Sequence, residues 1–205
     1  MPKRGYHHGN LRQALVDAAL TLITEKGPTG FTLSEAAKTA GVTPAAVYRH
    51  FEGREDLIAE AARQGYATFA DLLEFAYNDG KPSALTAFLS TGRAYLAFAN
   101  KYPGQYVAMF ESGISIQRTP ELHAVATRAL GVMETAAHDL CQHVPENRRP
   151  PPQMFSAHIW AMSHGVVELF ARNAPGTQSP FPPDDLLETG IGIYLRGLGL
   201  IELDA

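Results

Sequence analysis

The sequence predicts an all-α protein, a small three-helix head followed by a larger helical body, and three observations predict it. Apolar residues recur with the 3.6-residue helical period in almost every segment. No stretch sustains the two-residue alternation of a half-buried strand, and glycine and proline breakers cut the chain into helix-length pieces. At 205 residues, 45% apolar and 19% charged, the chain suits one globular domain or a small domain fused to a larger one. Its net charge of −4 conceals a split: residues 1–54 carry 7 Lys+Arg against 4 Asp+Glu, and the rest carry 10 against 17. A basic head on an acidic body points to a head that alone meets a polyanion.

The elements follow in order. Residues 10–26 place Leu11, Leu15, Ala18 and Leu22 on one stripe, closed by Gly27-Pro28. Two short helices are expected between Thr32 and Phe51. Residues 54–78 form a long candidate and 82–100 another, with Pro82 tolerated in its first turn because the missing N–H has no helical partner. Tyr102-Pro103-Gly104 interrupts before a short helix over 104–112. The stretch 120–143 carries Leu122, Ala126, Ala129, Met133, Ala136 and Leu140 at four-three spacing. Prolines 145 and 150–152 mark a loop, a helix over 153–173 follows, and a second break from Pro175 to Pro183 precedes a last helix over 184–202. The lone Cys141 cannot form an internal disulfide and reads as packing. Lys3 and Arg4 lead into a polar run rather than a secretory core, and no apolar stretch reaches the roughly 18 residues of a membrane span. A cytoplasmic protein without a membrane partner is expected.

The segment from Phe31 to Phe51 holds the chemistry. Thr32 and Glu35 form a capping box that starts a helix, with Ala36-Ala37 as a small face for close approach. Gly41 stands where a tight turn needs positive φ, and Thr43 caps a new helix with Pro44 at its first position. Two short helices joined by so tight a turn match the helix-turn-helix whose second helix enters the DNA major groove. Its exposed end would present Thr43, Pro44, Ala45 and Ala46, then Tyr48, Arg49 and His50, while Val47 and Phe51 point inward.

Here the chain resembles the TetR family of transcriptional regulators, through Thr32-Leu33, Ala40-Gly41-Val42, Val47-Tyr48-Arg49-His50-Phe51 and Arg54-Glu55-Asp56-Leu57. The opening Tyr6 to Arg12 is similar to one subgroup, and Trp160 to Gly165 resembles the Trp/His-Gly signature of some regulatory domains. The resemblance implies an all-α homodimer with a DNA-binding domain over residues 1–55 and a ligand-binding and dimerisation domain over 56–205, usually a repressor released by a small molecule. It implies phosphate contacts from Thr43, Tyr48, His50 and Arg54, and base-edge contacts from Pro44, Ala45 and Arg49, with Thr32 in the same region. Ala45-Ala46 replace the polar or glycine residues of many members, so methyl contacts to thymine and Arg49 to guanine would carry readout. Lys3 and Arg4 form either a tail or an arm reaching DNA.

In the body, aromatics exceed what one thin seam needs, and Phe88, Tyr95, Phe110, Trp160 and His164 are candidates to line an apolar cavity for a small-molecule effector. His164 could equally serve an internal hydrogen bond. The last two helices suggest a dimer interface built from Phe155, Ile159, Met162 and Val166 with Leu187, Ile191, Tyr194, Gly197 and Leu198. Four glycines at 190, 192, 197 and 199 each cost a helix about 1 kcal/mol, which close helix approach could offset. No GxSxG, GxGxxG, P-loop or HExxH pattern occurs, and the histidines lack the spacing of a metal pair, so neither enzyme chemistry, cofactor nor metal is expected. The alternative is a helical ligand-binding or interaction module that contacts no DNA.

Overall fold

The computed structural model describes residues 11–171 and 180–201, so Lys3 and Arg4 lie outside the described residues. All regular structure among the described residues is helical: α1 (Leu11–Lys26), α2 (Leu33–Thr39), α3 (Pro44–Val47), α4 (Arg54–Asp79), α5 (Ala84–Lys101), α6 (Pro103–Phe110), α7 (Pro120–Cys141), α8 (Pro152–Val166) and α9 (Pro183–Gly197). A wider turn over Val167–Ala171 continues α8. The chain groups into two compact units, one taking residues up to Tyr66 together with Tyr102–Val125, the other Ala67–Lys101 with Ala126 onward. Thus the packing unit that holds the helix-turn-helix reaches eleven residues beyond position 55 and includes α6.

In the first unit, α1 buries Leu15, Val16, Ala18, Ala19, Leu22 and Ile23. Phe31, Ala36, Ala37, Val47, Phe51 and Leu57 complete that core. Helix α6 lies so close to α1 that a Cβ on Gly104 would stand 2.6 Å from the Leu20 carbonyl oxygen. Glycine is the side chain that this approach admits. Glu60, buried on α4, accepts from Arg12 of α1 and from Arg63 and Gln64 of its own helix. Burial raises its pKa, but the hydrogen bonds from Arg63, Arg12 and Gln64 outweigh burial and bring it to about 2.

In the second unit, Phe69 packs edge-on to Tyr95 at 5.2 Å and tilted against Phe98 at 4.9 Å. Phe88 stacks on Phe155, which in turn stacks on Tyr194. Arg128 of α7 pairs with Asp71 and Glu74 of α4.

Three expectations change. Helix α5 begins at Ala84 rather than Pro82, because Ser83 caps it: its hydroxyl accepts from the Thr86 N–H and its carbonyl from the Ala87 N–H. Helix α9 ends at Gly197 rather than 202, where Gly199 N–H bonds the Arg196 carbonyl and Leu200 N–H the Leu195 carbonyl, so Gly199 closes the helix instead of lying within it. Phe155, Leu187 and Ile191, expected at a dimer contact, are buried inside their own unit, as is Ile159 to a slightly lesser degree. The reason is that α9 packs on α5, where Gly92 lets Leu187 and Ile191 approach to 3.6 Å of where a Cβ would stand.

Candidate functional site

The helix-turn-helix is assembled by local bonds that the sequence signals. Thr32 Oγ1 accepts from the Glu35 N–H, and the Glu35 carboxylate accepts from the Thr32 N–H and hydroxyl. Thr32 therefore has its hydroxyl engaged in the capping box. Glu35 also accepts from Lys26 at 2.7 Å, which with the Thr32 bonds lowers its pKa to about 2. At the other end of α2, Gly41 at φ 73° donates to Lys38 O while Val42 donates to Ala37 O, the paired bonds that close a helix with one left-handed residue. Thr43 follows at the N-cap position in extended conformation, but its hydroxyl makes no capping bond. Pro44 supplies the preset first turn instead.

Helix α3 is one turn long, and its side chains divide sharply. Ala46, Val47 and Phe51 are buried. Ala46, which the sequence reading set on the outer face, is thus an anchor. Thr43, Pro44, Ala45, Arg49 and His50 are exposed, and Tyr48 is 63% exposed with a large ring turned to solvent. One short face therefore carries a hydroxyl, two small apolar groups, an aromatic, a guanidinium and an imidazole. Arg54 has a partner that sequence reading missed: its Nη1 donates to the carbonyls of Thr29 at 3.0 Å and Phe31 at 3.3 Å, tying α4 to the loop before α2. Arg12, also missed, stands 5.1 Å over the Phe51 ring while holding Glu60, and so braces the end of α3 against α4. Its position on the exposed edge of an amphipathic helix was the only available signal.

In the second unit, Tyr95 of α5 meets Trp160 and His164 of α8. The Trp160 Nε1–H donates to the Tyr95 hydroxyl at 3.2 Å, and that hydroxyl lies 3.0 Å from His164 Nδ1. Since an indole N–H can only donate, the Tyr95 oxygen accepts there. Beside them lies a cavity of about 10 Å³, lined by Phe88, Tyr95, Thr91, Met133, Ile159 and Ser163 among others. That is room for about one water. Of the residues expected around an effector cavity, Phe88 and Tyr95 line this small void, Trp160 and His164 bond to Tyr95, and Phe110 instead packs with Tyr66 and Tyr106 in the first unit. Thr91, Ser163 and Met133 were not foreseen as lining; the signal for Thr91 and Ser163 was a hydroxyl placed on an otherwise apolar helical stripe.

The remaining residues expected at a dimer contact lie at intermediate or full exposure: Met162, Val166, Tyr194, Gly197 and Leu198. Tyr194 OH bonds His158 Nδ1 at 2.7 Å, and Met162 approaches Gly190. Large apolar side chains that face solvent in this unit are Phe75 on α4, Met154 on α8, Leu169 and Phe170 in the wider turn that continues α8, Phe181 before α9 and Ile193 on α9.

Comparison with known proteins now places the chain. The family description "Bacterial regulatory proteins, tetR family" matches residues 15–61, and "Tetracyclin repressor-like, C-terminal domain" matches residues 88–194. The chain belongs to the TetR family. The first match of this TetR-family protein spans the helix-turn-helix just described, and the second spans the cavity. It is 31% identical over 100 residues to the uncharacterised HTH-type transcriptional regulator YobS of Bacillus subtilis, covering 49% of this chain and 51% of YobS. The chain thus spans about half the length of that relative. Among solved structures, a protein of unknown function from Rhodococcus sp. RHA1 matches 95% of this chain and 98% of its own with a TM-score of 0.78 at 22% identity. AibR, solved in complex with isovaleryl coenzyme A and operator DNA, matches 90% of this chain and 97% of its own with a TM-score of 0.69 at 16% identity. At those identities the two structures establish the shared fold. No helix among the described residues of this TetR-family chain is long and apolar enough to cross a membrane.

Proposed function

We propose that this chain is a homodimeric transcriptional repressor of the bacterial cytoplasm, holding a roughly palindromic operator and releasing it when a small molecule enters the body. The observation that carries the reading is the division of α3, with Ala46, Val47 and Phe51 buried as anchors under an exposed face of Thr43, Pro44, Ala45, Tyr48, Arg49 and His50. In this reading Tyr48, Thr43 and His50 meet phosphates, Arg49 reads a guanine edge, and Pro44 and Ala45 touch thymine methyls. Arg54 holds the loop before α2 and adds its charge to the phosphate-facing side. Two copies related by a two-fold axis set the half-site spacing. AibR, which was captured with both an acyl coenzyme A and its operator, has the same fold and supports the assignment of both roles. The repressor sign is supported by the description of the matched C-terminal family.

The test is selection of duplexes from a random pool, followed by binding isotherms across salt. Arg49→Ala should cost about 1–3 kcal/mol at one base position and leave others unchanged, whereas Tyr48→Ala should weaken all sequences alike. A chain that enriches no duplex, or that binds with unaltered affinity in both variants, would refute the reading.

A further inference from the structure

In the first unit, five of the seven described lysines and arginines have partners within the fold. Arg12 and Arg63 share Glu60, Lys26 holds Glu35, Arg118 holds Glu55, and Arg54 donates to the Thr29 and Phe31 carbonyls. That leaves Lys38 and Arg49. Both are exposed, and neither side chain makes a hydrogen bond or ion pair among the described residues. They stand on either side of the Gly41 turn, Lys38 in the last turn of α2 and Arg49 just after α3. From Thr32 to Phe51 the chain carries one carboxylate, Glu35, and Lys26 already pairs with it. Ala36 and Ala37 turn the inner side of α2 into the core. Lys38 shares an exposed flank of that helix with Ser34, one turn earlier, whose hydroxyl is likewise without a partner among the described residues. A lysine on that flank, beside no anion of its own chain, keeps its three ammonium donors for an anion outside the fold.

We propose that Lys38 grips a phosphate of the DNA backbone, so that α2 holds the duplex in position while α3 presents Arg49 to the bases. The inference rests on the DNA-binding reading above. In a docked helix-turn-helix the first helix crosses the backbone as the second enters the groove, and there a flexible point charge positions the protein without reading sequence.

Each phosphate neutralised releases condensed counterions, so the contact is read as a salt slope. The full-length protein would be titrated against two duplexes of about 30 base pairs, one of arbitrary mixed sequence and one enriched by selection, from about 50 to about 200 mM KCl. Lys38→Gln should flatten the slope of log affinity against log salt by about 0.9 on both duplexes, so that across this range the parent loses about 3.5-fold more affinity than the variant. Lys26→Gln makes the same change in net charge at a lysine already paired, and should leave the slope near the parent's. Lys38→Arg should keep the parent slope. A Lys38→Gln slope equal to that of the parent or of Lys26→Gln would overturn the contact, and so would a loss confined to the enriched duplex, which would make Lys38 a base reader. If Lys38 served only to complement the α2 dipole, Lys38→Gln would lower the thermal midpoint and leave the slope intact. A parent that binds neither duplex at about 50 mM KCl would refute the regulatory reading and this contact with it, whereas a parent that binds both with a slope unmoved by Lys38→Gln would refute the contact alone.

Discussion

Glu60 is a charged carboxylate at 8% exposure, held by two guanidiniums and an amide. Burial opposes its charge, yet Arg63, Arg12 and Gln64 bring its folded pKa to about 2, below the ordinary value of 4.5. A depressed folded pKa means that the stabilisation is complete above pH 4.5 and is lost as pH falls toward 2, with a full value of about 3 kcal/mol. Glu60→Gln should therefore lower urea stability by about 2–3 kcal/mol at pH 7, and the gap to the parent should close across that acid window. A gap independent of pH would show that the loss is steric. The outward Tyr48, Arg49 and His50 were legible because Pro44 and the four-residue spacing of Val47 and Phe51 fix which side chains face out, while Ala46, expected outside, is buried. Glu60 was not legible, because Arg12 lies 48 residues away in the sequence.

Most helices were readable from stripe and breaker, and the exceptions have local causes. Ser83 takes the cap that Pro82 was expected to precede from within the helix, since a hydroxyl that satisfies an orphan N–H outcompetes a proline that merely lacks one. Gly104 illustrates the opposite limit. Its Cβ would stand 2.6 Å from Leu20 O and 2.7 Å from Thr24 Oγ1, so it marks where α6 presses on α1 rather than a simple break in the chain. Gly104→Ala should destabilise by about 1–3 kcal/mol through overpacking, although alanine is the better helix former by about 1 kcal/mol. Thermal unfolding would check it. An unchanged or raised midpoint would show that α6 can shift away from α1 freely.

For the whole molecule, the burial of Leu187 and Ile191 moves the proposed contact between copies to the side chains left in solvent. Ile193 is 64% exposed on α9, and Met154 on α8 and Phe181 before α9 are also exposed. Ile193→Asp should convert the dimer to monomers in sedimentation with helical content intact, and should weaken operator binding as the half-sites uncouple. Leu187→Ala should do the reverse, lowering protomer stability by about 2–5 kcal/mol while the mass in solution stays dimeric. If Leu187→Ala splits the dimer and Ile193→Asp does not, the interface lies elsewhere.

The sequence alone determined the helical class, the helix-turn-helix with its Thr32–Glu35 capping box and Gly41 turn, and the outward set of Tyr48, Arg49 and His50. These depend on bonds and spacings within a few residues, where backbone geometry leaves few alternatives. Only the tertiary structure decided which stripe of α8 and α9 faces the chain's own core, that Phe110 belongs with Tyr66 and Tyr106, that Arg54 braces the loop before α2, and that Thr91, Met133 and Ser163 join Phe88 and Tyr95 around one cavity. An apolar stripe records that a face is buried without recording against what, and the partner of a polar tip is brought in from a distant part of the chain.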